Sequence, residues 1–186
     1  MMEVKGSAIK NVAGYVKDTF GEAEYQRWLN SLPEESRKIY SSQILVGTWY
    51  PYRFANAEPL KKIVELFLDN DPVRAQEIGY YSADKNLTGL YKTFIKMGSV
   101  SFMMSKASYM LGTFFRPCQV ETVDTDKNHI TIRFKEFPEM DNIMENNMLG
   151  GMIRSLEVSG CKNVKMVIAS SITKGDPYSE FKASWD

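Results

Sequence analysis

The sequence is poor in the residues that most often carry chemistry: one histidine, two cysteines, and no surplus of either charge, with 23 Lys and Arg against 23 Asp and Glu in 186 residues. Each shortage removes a class of function. Cys118 and Cys161 are far apart and lack CxxC spacing, so in a reducing compartment they are expected as free thiols, and His129 alone gives them little company as metal ligands. The missing basic excess argues against a nucleic-acid partner. No apolar run reaches the roughly 18 residues of a membrane span. The opening "MMEVKGSAIKNVAGYVKDTFG" lacks the continuous apolar stretch of a signal peptide, so the expected location is the cytoplasm. Catalytic templates are missing too: there is no phosphate-binding glycine loop, no GxSxG elbow and no metalloprotease helix. "SITK" matches Ser-x-x-Lys, but on a strand Ser171 and Lys174 would face opposite sides. No catalytic residue and no cofactor is therefore expected.

What is present suits a globular chain. It is 44% hydrophobic and 25% charged, and a chain of this size buries about 70% of its unfolded surface without disulfides. No linker or repeat interrupts it, so residues 1–186 are expected to form one domain, with a helical part at 1–112 and a ββαββ part at 113–186.

The first half has helical period. Ile9, Val12, Val16 and Phe20 recur in steps of three and four, and Tyr25, Trp28, Leu29 and Leu32 continue the pattern after Gly21. "PLKKIVELFLDN" is a third amphipathic stretch, and Asp71-Pro72 reads as a capped helix start. "LTGLYKTFIKMGSVSFMMSKASYML" is apolar on most sides, which predicts a buried helical region broken near Gly98-Ser99. Its Phe94, Met97, Phe102 and Met103, with Tyr109 and Phe114, suit either a cavity wall or plain core.

The second half changes period. Ile130, Ile132 and Phe134 alternate with His129, Thr131, Arg133 and Lys135 in a hairpin whose turn spans Asp124 to Asn128. A helix follows, closed by Gly160, and then two strands, "NVKMVIASSI" and "YSEFKASW". The fold class is α+β: a helical half followed by a four-stranded antiparallel sheet, ββαββ, with a helix across one face. On the last strand Ser179, Phe181, Ala183 and Trp185 share the inward face. On the helix, Met140, Met144, Met148 and Met152 lie four apart, as a pliable pocket lining or as gap-filling core. Gly150-Gly151 interrupts that helix at a propensity cost of roughly 2 kcal/mol, which close backbone approach by the sheet, a ligand or a second copy would offset.

At this point two stretches carry a resemblance. "KGSAIKNVAGYVKDTFGEAEYQRWL" resembles the opening of haem nitric oxide/oxygen binding (H-NOX) domains, with Gly6, Phe20-Gly21 and Trp28 as matching points. "GDPYSEFKASW" resembles the C-terminal signature of 4-vinyl reductase domains. With the TRAPP trafficking subunits, these families share helices followed by an antiparallel sheet. The chain departs from them twice: Ser179 stands where the reductase pattern has a Cys, and neither an axial His on a first-half helix nor a Tyr-x-Ser-x-Arg motif is present. His129 falls on a polar strand face, where a surface role is expected.

The resemblance implies a haem-free sensor or regulatory module that holds a small apolar ligand and reports to a signalling partner. The expected ligand-binding set is Ser179, Phe181 and Trp185, opposite Met144, Met148 and Phe102. The rival reading is a homodimeric interaction scaffold without a ligand. Its expected interface is Trp49, Tyr50 and Tyr52 of the aromatic loop, with Gly150 and Gly151; a lid folded onto the core is the loop's other reading.

Overall fold

The computed structural model describes residues 1–87 and 108–186. Strand β1 (Glu3–Lys5) runs into α1 (Gly6–Ile9) and α2 (Val12–Phe20), followed by α3 (Glu22–Ser31) and α4 (Glu34–Tyr40). Strand β2 (Trp49–Pro51) leads into a π-helical turn, Arg53–Ala57, which continues directly as α5 (Glu58–Phe67). A short 3₁₀ turn, Pro72–Arg74, precedes α6 (Ala75–Leu87). After a helical stretch at 108–112 come β3 (Phe115–Arg116), the hairpin β4 (Gln119–Asp126) and β5 (His129–Glu136), and α7 (Asn142–Val158). Strands β6 (Lys165–Ser170) and β7 (Ser179–Ser184) close the chain. The class is α+β.

The helical periodicity is spent on burial. Ile9, Val12, Val16 and Trp28 are buried, as are Leu60, Ile63 and Val64 of α5, which recur at i, i+3 and i+4. Gly21 separates α2 from α3 with φ at 93°, a region in which an L side chain is strained. Trp28 donates its indole N–H to the Pro59 carbonyl at 3.2 Å, and Tyr40 donates its hydroxyl to the Ala55 carbonyl at 2.8 Å. These buried aromatics are thus satisfied as well as packed. Asp71 caps the 3₁₀ turn by accepting from the Val73 amide at 2.9 Å.

The large sheet has the order β4-β5-β7-β6, all antiparallel. Its inner face presents Ile130, Ile132, Phe134, Phe181 and Ala183, all buried, with α7 packed across β6 and β7. The outer face is polar, but not uniformly exposed. Glu180 is only 6% exposed there, held by Arg133 at 2.6 Å and Lys182 at 3.2 Å, while Tyr178 stacks on the Arg133 guanidinium at 4.0 Å. Burial would raise the Glu180 carboxyl, but its two cations outweigh this and hold it below the usual range.

A second, smaller sheet has the order β2-β1-β3. The sequence reading places β2 in the aromatic loop and assigns no strand to β1 or β3, because each is two or three residues long, too short for any alternation to show. "SITK" likewise differs from the strand expected of it: Ile172–Lys174 form a 3₁₀ turn, and the Ser171 hydroxyl points to Glu145 rather than toward Lys174. The predicted helical region and its break at Gly98-Ser99 lie outside the described residues, with Phe94, Met97, Phe102 and Met103. Among the described residues no helix is long and apolar enough to cross a membrane.

Candidate functional site

Helices α6 and α7 cross at very close range because their contact points lack side chains. A Cβ on Gly150 would strike the Gln76 carbonyl, and one on Gly79 would strike the Asn147 carbonyl. The crossing is fastened at its edge by Arg154, which reaches Asp84 at 2.6 Å, and by the Tyr80 hydroxyl, which donates to Glu157 at 2.7 Å. At the far end Asn11 ties α2 to α6, donating to the Ser82 carbonyl at 3.2 Å and to Asn86 Oδ1 at 3.1 Å.

Between this helix pair, the start of α1–α2 and the inner face of the sheet lies a cavity of about 400 Å³. Its volume falls within the range of small-molecule sites. Among the described residues five methionines line it: Met144, Met148 and Met152 from successive turns of α7, Met166 from β6, and Met110. Val12, Leu60, Ile130, Ile132 and Phe115 complete an apolar wall. The polar part is small and neutral, namely Ser and Asn side chains that include Asn56, Asn86 and Asn147. Among the described residues the wall has no charged side chain and no His, Cys or Tyr. Such a site can bind an apolar body, with a few amide and hydroxyl groups to orient it.

No family model matches the chain, and no curated protein matches it in sequence. Solved structures do match. The H-NOX protein of S. oneidensis in its Fe(II)NO state is similar with a TM-score of 0.73 at 9% identity, covering 98% of this chain and 99% of that one. The chain has the H-NOX fold. The Fe(II) unliganded H-NOX protein of K. algicida gives a TM-score of 0.68 at 11% identity, over 98% and 96% of the two chains. An oxygen-binding H-NOX domain related to soluble guanylate cyclases gives 0.64 at 12% identity, over 98% and 95%.

Within this H-NOX fold the expected ligand-binding residues separate into two groups. Met144 and Met148 line the cavity, whereas Phe102 lies outside the described residues. Ser179, Phe181 and Trp185 do face inward and are buried, but the part of the sheet that carries them is not in the cavity wall. Phe181 packs edge-on against Phe134 at 5.6 Å, as core. Trp185 donates its indole N–H to the Lys127 carbonyl at 3.1 Å and its amide to the Asn128 carbonyl at 3.0 Å, which pins the end of β7 to the turn of the hairpin. Ser179 donates a short hydrogen bond to Glu145.

That Glu145 network escaped the sequence reading. Glu145 is 1% exposed, and its carboxylate accepts from the hydroxyls of Ser171 at 2.7 Å and Thr173 at 3.2 Å as well as from Ser179. It fastens the β6–β7 connection onto α7. The available signal was weak: a Glu inside a methionine-rich helix, beside an expected core face.

The expected interface residues are also redistributed. Tyr52 is fully buried, in edge contact with Phe115 and Phe137 at 6.2 and 5.5 Å, so it belongs to the core rather than to a surface. Trp49 and Tyr50 are half-buried in β2. Arg116 lies over the Trp49 ring at 4.2 Å, and the Tyr50 hydroxyl accepts from the Leu45 amide at 3.0 Å. Gly150 and Gly151 face α6 of the same chain, so the helix notch serves an intramolecular contact. His129 sits at the edge of the hairpin, with Nε2 2.9 Å from Asp124. The half-buried Cys118 lies in an open groove of about 540 Å³ with Tyr109 and Lys135. Burial and then the Glu136 charge push its thiol up to about 12, which keeps it protonated and a poor nucleophile.

Proposed function

We propose that this chain is a sensor module in which the H-NOX fold has been turned to a small, uncharged, largely apolar ligand in place of haem. The observation that carries the reading is the chemistry of the cavity wall: methionines, aliphatic side chains, Ser and Asn, with neither charge nor imidazole among the described residues. These residues do not fit haem. Its iron takes an axial His, Cys, Tyr or Met/His pair, and its two propionates call for cations or many donors. The chain's one histidine lies on the hairpin, paired with Asp124 and away from the cavity wall. Methionine supports the alternative, since its flexible thioether adapts to ligands of irregular shape. The α6–α7 pair that walls the cavity is also the element through which occupancy would reach a partner protein, because the same two helices present a surface cluster of the exposed Tyr80 and the half-buried Arg154 and Glu157.

The test is native mass spectrometry of freshly purified protein, repeated under denaturing conditions and after incubation with hemin. The expected result is no absorption band of ligated haem after hemin is added and desalted away, together with a non-covalent mass excess of a few hundred daltons in the untreated protein. Stoichiometric haem binding that survives desalting would overturn the haem-free reading.

A further inference from the structure

Among the described residues, Asn56 is the most deeply buried polar side chain of the cavity wall. Asn56 is only 4% exposed and borders the cavity; its amide N–H groups serve the Met144 thioether, at 3.3 Å, and the Tyr52 hydroxyl. A thioether is a weak acceptor. Its carbonyl oxygen makes no hydrogen bond among the described residues. By contrast, the lining hydroxyls of Ser155 and Ser159 are spent on the Gly151 and Ser155 carbonyls of their own helix, at 2.7 and 2.6 Å, and Asn86 Oδ1 accepts from Asn11. A carbonyl oxygen that borders a cavity without a protein donor is one that a ligand donor can pair. The backbone points the same way. Asn56 sits in the π-helical turn Arg53–Ala57 at the head of α5, and such turns recur at functional sites because the extra residue re-aims a side chain.

We propose that Asn56 is the specificity-determining residue of the cavity and that it selects an uncharged apolar molecule bearing a hydroxyl. This rests on the ligand-binding reading above. The open group of this amide is its acceptor, Oδ1, and a ligand hydroxyl can donate its O–H to it. An ether can only accept, and so leaves Oδ1 unmatched. A carboxylate would set its charge against Oδ1, with no cation in the described wall to balance it.

The experiment is calorimetric titration of the full chain with 1-octanol, methyl heptyl ether and octanoate. All three are close in size, and they differ in the polar end. 1-Octanol is expected to bind about tenfold more tightly than the ether, the equivalent of one added hydrogen bond, with octanoate weakest. In Asn56→Leu the alcohol-to-ether ratio is expected to fall to within about twofold while the ether keeps its affinity. Asn56→Met serves as a second variant should the first fold poorly, and the wild-type ratio is decisive without either. Alcohol and ether binding equally to wild type, octanoate binding best, or a preference that survives both substitutions would overturn the role of Asn56. Failure of both the alcohol and the ether to bind would instead overturn the ligand cavity itself.

Discussion

Gly150→Ala is expected to destabilise the protein by about 3 kcal/mol, although Gly→Ala inside a helix ordinarily stabilises by roughly 0.5–1 kcal/mol. The sign reverses because the new methyl group would point into the Gln76 backbone of α6, which cannot rotate away as a flexible side chain could. Gly79→Ala should behave alike, since its Cβ would meet the Asn147 carbonyl. Gly151→Ala is the internal control. Its nearest neighbour, the Gly79 carbonyl, would be 3.5 Å away, an ordinary contact, so the propensity gain should survive and stability should hold or rise. Urea denaturation midpoints of the three variants measure this. Equal stability of Gly150→Ala and Gly151→Ala would contradict the close crossing of α6 and α7. Because Gly79 and Gly151 both line the cavity, the first two variants should also change its ligand affinity by forcing the helices apart.

The second large effect is expected at Glu145. Glu145→Ala removes the acceptor shared by the Ser171, Thr173 and Ser179 hydroxyls and leaves a void between α7 and the β6–β7 connection. Orphaned buried hydroxyls cost roughly 1–3 kcal/mol each when nothing replaces the partner. Some re-pairing between Ser171 and Thr173 is available, as their oxygens are already 2.7 Å apart, so a total loss of about 3 kcal/mol is expected. Glu145→Gln should lose less, since it keeps one carbonyl acceptor and the volume. The distinguishing readout is hydrogen exchange. The Ile172 amide, which donates to the Ser179 hydroxyl at 3.1 Å, should lose protection in Glu145→Ala more than amides at the centre of β7. Uniform loss across the sheet would mean that the network does no more than fill space.

The sequence shows plainly the features that repeat. Helical period along Ile9, Val12 and Val16, strand alternation along Ile130, Ile132 and Phe134, and the turn chemistry of Asp71 and Gly160 all depend on neighbours a few residues away. The structure agrees at each: the apolar positions are buried, Asp71 caps its turn, and Gly160 takes φ of 99° past the end of α7. The inward face of the last strand was legible for the same reason. What that face meets was not, because alternation states which way a side chain points and not what lies opposite. So Phe181 and Trp185 proved to be core and hairpin clasp, while the cavity opened beside Met144, Met148 and Met152.

The expected interface residues show the same division. An aromatic cluster interrupted by Pro51 has no period to reveal which rings turn inward, and Tyr52 turned out to be fully buried. A glycine pair announces close approach but cannot name the partner, which the structure identifies as α6. By itself, then, the sequence determined the α+β class, the buried face of the long helices and strands, and the lack of a histidine in the helical half, since these are local or compositional. The tertiary structure alone decided that Gly79 lies across from Asn147, that hydroxyls of Ser171, Thr173 and Ser179 converge on Glu145, and that Asn56 meets Met144, Met148, Met152 and Met166 around one cavity. Those are meetings of residues far apart in the chain, and their geometry is set by how helices and sheet pack rather than by any pattern along the backbone.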